Sequence, residues 1–166
     1  MGNKFLGYEK EIRDGNILSI QMNLLNKCTS KCLSCRKYTW PDVQLDYDTI
    51  KNTLMYLKGQ GLQTVVFSGG EPLLYKDFDK VISLCEMLNI KYSLITTLII
   101  KDIELLKRVA KTAYRIHVSI DSVDEEKYAY IRGVYGLKIA KESIKIIAEN
   151  RPKEMIPIRI SSTMSN

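Results

Sequence analysis

Along residues 17–24, ILSIQMNL, apolar and polar positions alternate. Leu18, Ile20, Met22 and Leu24 share one face, and Ser19, Gln21 and Asn23 share the other. A period of two marks a β-strand. The period then lengthens: over 47–58, Ile50, Leu54 and Leu57 form a helical stripe that Gly59 and Gly61 bring to an end. The same change recurs down the chain. TVVFSGG (64–70) reads as a strand, and Phe78, Val81, Ile82, Cys85 and Leu88 mark a helix. KYSLITT (91–97) is a strand, and 102–112 a helix with Ile103, Leu106 and Ala110 as its buried stripe. RIHVSID (115–121) is a strand, helical sequence runs from an acidic start at 124–126 to about Asn150, and IPIRISSTM (156–164) is a fifth strand. Strand alternating with helix predicts an α/β fold with a parallel sheet and right-handed crossovers.

Strands covered on both faces read as continuous apolar runs. Two of these do not. In 115–121, Arg115, His117, Ser119 and Asp121 oppose Ile116, Val118 and Ile120; in the fifth strand, Arg159, Ser161 and Thr163 alternate with Ile158, Ile160 and Ser162. One polar face fits a curved sheet lining a cavity. The expectation is a single domain over 1–166, a partial (β/α) TIM-type barrel of about five strands with outer helices. Chemistry in such barrels gathers at the carboxyl ends of strands. A loop over 25–41, Gly69-Gly70-Glu71, Thr96-Thr97, Ser119 to Asp121 and residues 162–166 all fall there.

Composition adds little. The net charge is +6, but the basic residues are spread along the chain and read as solvated surface. No run of 18 apolar residues, no signal-peptide core and no myristoylation pattern (Leu6 stands where Ser or Thr is needed) lead to the expectation of a cytoplasmic protein without a membrane partner. In a reducing compartment, close-set cysteines point to metal or redox chemistry rather than disulfides.

That turns attention to KCTSKCLSCRK, residues 27–37, which holds Cys28, Cys32 and Cys35. The fourth cysteine, Cys85, sits on an apolar helical stripe and reads as core. Structural zinc wants four ligands, and only the lone His117, on another strand, is on hand to complete such a set. A four-iron cluster takes one thiolate per iron, so three cysteines leave one iron open to bind something else.

These features resemble the radical S-adenosylmethionine (SAM) enzymes, in particular the viperin, molybdenum-cofactor-synthesis and SPASM peptide-maturase branch. Cys28, Cys32 and Cys35 match the family's cluster loop, and Ser68-Gly69-Gly70-Glu71-Pro72 matches its GGEP-type motif. VSIDSVDEEKYAYIRG (118–133) matches the branch's fourth-strand region. The resemblance implies a [4Fe-4S] cluster on the three cysteines. It implies SAM bound through Gly69, Gly70, Glu71 and Thr97, with Ser119 and Arg132 holding its carboxylate and ribose. It further implies reductive cleavage to a 5′-deoxyadenosyl radical, which takes hydrogen from a nucleotide or peptide substrate, with an electron donor of the flavodoxin or ferredoxin type. Gln21, Asn23, His117, Asp121, Arg159 and Ser161 are expected to face ribose and substrate, and Asn166 stands where the family closes strand five.

Three departures accompany the match. Ser34 precedes the third cysteine where the family places an aromatic ring, and Tyr38 and Trp40 nearby read as packing residues. Thr96-Thr97-Leu98 replaces Thr-Asn-Gly, and because Leu98 resists a positive φ, the turn there is expected to differ. The family core has about six strand–helix units, so the C-terminal end of the barrel is expected to be missing, with a second copy or another chain completing the sheet edge. The alternative readings are a non-catalytic cluster-binding or electron-transfer module and a zinc-binding interaction protein.

Overall fold

The computed structural model describes residues 15–163. Five parallel strands form one sheet in sequence order: β1 (Ser19–Asn23), β2 (Thr64–Ser68), β3 (Lys91–Thr96), β4 (Arg115–Ser119) and β5 (Arg159–Ser161). In-register pairs such as Asn23 with Ser68 and Ser119 with Ser161 bring the carboxyl ends to one rim. Helices α1 (Tyr47–Gly59), α2 (Phe78–Met87), α3 (Ile103–Thr112), α4 (Glu125–Arg132) and α5 (Leu137–Asn150) make the crossovers. The fold is the expected partial α/β barrel, with the sheet left open between β1 and β5.

Helices α1, α3 and α4 begin where a short acidic side chain takes a free amide. Asp46 accepts from Thr49 N at 2.8 Å, Asp102 from Leu105 N at 3.0 Å and Asp124 from Lys127 N at 2.9 Å. The core lies between helices and sheet. Phe67, Phe78 and Tyr92 meet there with ring centroids 5.8–6.3 Å apart, and Cys85 is fully buried among them, as expected.

Four expectations are corrected. The helical stretch to Asn150 is two helices, because Gly133 takes φ +65° and ends α4. Ile103 lies outside the buried stripe of α3, half exposed, with Val109 buried instead. The fifth strand is only three residues long and exposed throughout. Leu98 does adopt φ +54°. Its side chain is fully buried in the core and its amide donates to Thr96 Oγ1 at 2.9 Å. Burying a leucine stabilises by about 1.5–3 kcal/mol, enough to offset a left-handed backbone costing about 1–2 kcal/mol.

Candidate active site

At the carboxyl rim, β1 runs into the cysteine loop, and the loop is stitched down on two sides. Toward β2, Gly70 N donates to Leu25 O at 2.7 Å and Glu71 N to Lys27 O at 2.8 Å. A Cβ on Gly69 (φ +127°) would stand 2.5 Å from Leu25 O, and one on Gly70 would strike Lys27 O. Only glycine lets the two segments close to this degree. Toward α4, Lys31 N donates to Arg132 O and Leu33 N to Ile131 O, both at 2.9 Å. The loop thus satisfies carbonyls that the end of a helix leaves free.

Between these anchors lies a cavity of about 170 Å³. Of the residues expected to form the site, Cys28, Cys32, Cys35, Gly69, Gly70, Thr97, Ser119 and Arg132 all line it. Glu71 does not. It is fully buried, and its oxygens accept from Thr96 Oγ1 (2.6 Å), Thr97 N and Thr97 Oγ1 (2.7 Å each) and Leu73 N (3.3 Å). Burial pushes its carboxyl up while the Thr96 and Thr97 donors hold against that rise. With its acceptor positions taken, Glu71 fastens the β2 and β3 turns together and leaves the cavity wall to the glycines.

Lys37 was not foreseen. Its Nζ donates to Gly69 O at 2.8 Å from inside the cavity; the only sequence signal was a basic residue two places after Cys35. Ser30 is also new: it is buried on the cavity wall with Oγ unpartnered. Tyr38 lines the cavity beside Ser34, yet it and Trp40 are half exposed rather than packed. Ile95 presents an apolar side chain, 38% exposed, on the same wall.

The other expected substrate contacts divide. Gln21 and Asn23 are exposed on β1, while His117 and Arg159 line a separate cavity of about 440 Å³. The Asp121 side chain, 4% exposed, lies against Arg132. Arg132 Nε lies 2.5 Å from Asp121 Oδ2 without aligning as a hydrogen bond, and Nη1 donates to Cys32 Sγ at 3.7 Å. Met164 to Asn166 lie outside the described residues. A wider cavity, about 900 Å³, runs between the 72–74 turn and α3 and contains neither the cysteines nor the glycine pair.

The donor set fits an iron–sulfur cluster. Three thiols face one cavity, as suits a cluster that takes one thiolate on each of three irons. Lys37 and Arg132 supply positive charge for an anionic cluster, and the unpartnered Ser30 hydroxyl supplies a donor. Burial raises the Cys28 thiol above its ordinary value, and the Ser30 amide, 3.4 Å from Sγ, opposes that rise; a metal would complete the deprotonation.

An open α/β barrel thus brings three thiols and a glycine pair to one cavity. The chain belongs to the Radical SAM superfamily, whose family model matches residues 22–160. The family uses a [4Fe-4S] cluster and SAM. A protein of Methanocella arvoryzae named probable GTP 3′,8-cyclase is 30% identical over 118 residues, 69% of this chain and 38% of that protein. An S-adenosylmethionine-dependent nucleotide dehydratase of Lacinutrix mariniflava is 29% identical over 140 residues, 79% of this chain and 29% of that protein. The fold matches that of Streptococcus suis SuiB bound to S-adenosylmethionine, with TM-score 0.77 and 22% identity, covering 95% of this chain and 38% of SuiB. The chain therefore spans well under half the length of these relatives. Among the described residues no helix is long and apolar enough to cross a membrane.

Proposed function

We propose that this chain carries the cofactor-binding part of a radical SAM enzyme acting on a nucleotide. The carrying observation is that Cys28, Cys32 and Cys35 share one cavity with Gly69 and Gly70. A cluster held by Cys28, Cys32 and Cys35 would supply one-electron reduction of SAM, whose carbon–sulfur bond would break to give methionine and a hydrogen-abstracting 5′-deoxyadenosyl radical.

The chain's own residues bind and orient. The three thiolates would hold three irons of the cluster and leave one iron without a protein thiolate. Gly69 O takes the ammonium of SAM; that an ammonium fits there is supported by Lys37 Nζ, which now occupies it. Arg132 Nη2 has no partner among the described residues, and a guanidinium edge suits the SAM carboxylate. Ser119 faces the ribose and Ile95 offers apolar surface to the base. Glu71, through Thr97, keeps the rim rigid so that these groups need not reorganise. Water exclusion and the substrate's remaining contacts come from other segments or a partner chain, and the electron from a flavodoxin- or ferredoxin-type donor.

A nucleotide substrate is favoured over a peptide because two sequence relatives carry nucleotide chemistry in their names. The likeness to SuiB, at 22% identity, speaks to fold alone. The test is anaerobic reconstitution, reduction with dithionite and addition of SAM, with 5′-deoxyadenosine as the expected product. Equal release from a Cys32→Ala variant overturns the reading. Deuterium carried into 5′-deoxyadenosine from labelled nucleotides, and not from peptides, identifies the substrate class; the reverse result refutes the nucleotide assignment.

A further inference from the structure

We propose that Asp121 is a positioning residue that holds the Arg132 guanidinium against the Cys32 thiolate, and that this contact sets the reduction potential of the cluster bound there. The inference rests on the cluster reading above.

Three observations carry it. First, both Asp121 oxygens are committed: Oδ1 accepts from Thr163 N at 2.8 Å and Oδ2 lies 2.5 Å from Arg132 Nε. Asp121 is thus tied both to the chain beyond β5 and to Arg132. Second, the pair is withdrawn from water, with side chains 13% and 4% exposed. A guanidinium this buried needs its counter-charge, because a lone buried ion is strongly unfavourable. Third, the geometry leaves one direction open. With Nε held by Asp121 and the Arg132 carbonyl held by Lys31 N, Nη1 reaches Cys32 Sγ across 100 residues of sequence.

A cation donating to a ligand sulfur stabilises the more negative, reduced state of a cluster and so raises its potential. Arginine keeps that charge at any working pH. Lysine cannot reproduce the contact, because its single ammonium cannot span both Asp121 and Cys32.

The experiment is an anaerobic redox titration of reconstituted wild type, Asp121→Asn, Arg132→Lys and Arg132→Gln, followed by electron paramagnetic resonance, with iron and sulfide counted in each sample. Arg132→Gln is expected to lower the reduced fraction at fixed poise about tenfold, equivalent to about 59 mV for a one-electron couple. Asp121→Asn keeps the acceptor for Thr163 N but releases the guanidinium, and shifts the same way by less. Arg132→Lys falls between Asp121→Asn and Arg132→Gln. Unchanged potentials with full iron overturn this inference and leave the enzyme assignment standing. Loss of iron in the variants without a shift in what remains makes the pair structural and also overturns it. A wild type that binds no iron overturns the underlying reading with it.

Discussion

Gly133 is a sensitive test of how the cysteine loop is held. It ends α4 at φ +65°, and an added Cβ would stand 2.5 Å from Lys31 O and 2.9 Å from Lys31 Cβ. Gly133→Ala therefore carries two penalties. A left-handed alanine costs about 1–2 kcal/mol. Because the obstructing oxygen is backbone, the loop must also withdraw, which removes the bonds from Lys31 N to Arg132 O and from Leu33 N to Ile131 O. At about 0.5–1.5 kcal/mol each, the total loss is about 2–5 kcal/mol, a large part of a typical domain's stability. Gly15 is the control: its φ is +76°, but among the described residues nothing lies within 4 Å of its Cβ position. Gly15→Ala should thus show the backbone penalty alone. Urea unfolding of the cluster-free proteins gives both values, and iron bound after reconstitution should fall only in Gly133→Ala. If the two variants lose equal stability and both bind full iron, the loop does not depend on α4.

Cys85 is buried with its thiol pushed up to about 12, so native protein should take at most three iodoacetamide adducts by intact mass and a fourth only in denaturant; native labelling of Cys85 would refute its core placement. His117, the sole histidine, has its pKa lowered below the ordinary 6.5 by burial and by Arg159 and Arg115. The fold favours the neutral ring, so its contribution is present above the ordinary value and fades as pH falls through the lower folded value. A proton NMR titration with a midpoint at or above 6.5 contradicts this. Glu71→Gln sets an amide donor against donors from Thr96 and Thr97, and should cost about 1–3 kcal/mol by urea unfolding; a neutral result would mean that the carboxylate is not what fastens the turns.

The strand and helix order was legible because each change of hydrophobic period is local. The break inside 124–150 was not, since apolar positions continue across it and only Gly133 and Gly136 hint at a stop. The gathering of Cys28, Cys32 and Cys35 was legible because they lie within eight residues. What the acids do was not. Glu71 is assigned its structural role by Thr96 and Thr97, 25 and 26 residues away, and Asp121 by Arg132 and by Thr163, 42 residues on. Such pairings depend on how parallel strands bring their ends to one rim, which periodicity does not encode. The Leu98 turn misled for a related reason: local strain was visible, whereas the burial that offsets it is tertiary.

The docking of the cysteine loop on α4 also bears on the order of events at the ribosome. Cys32 and Arg132 are separated by 100 residues. At about 5–20 residues per second, the three thiols leave the ribosome roughly 5–20 s before the helix that seats their loop has been made. During that interval they are reactive and unhoused, so iron delivered to the nascent chain would meet a floppy trithiol rather than a shaped site. On the proposed function, the seat for a cluster is complete only after α4 has been made, so oxidative stress during synthesis should injure this protein more than the same exposure after it has folded.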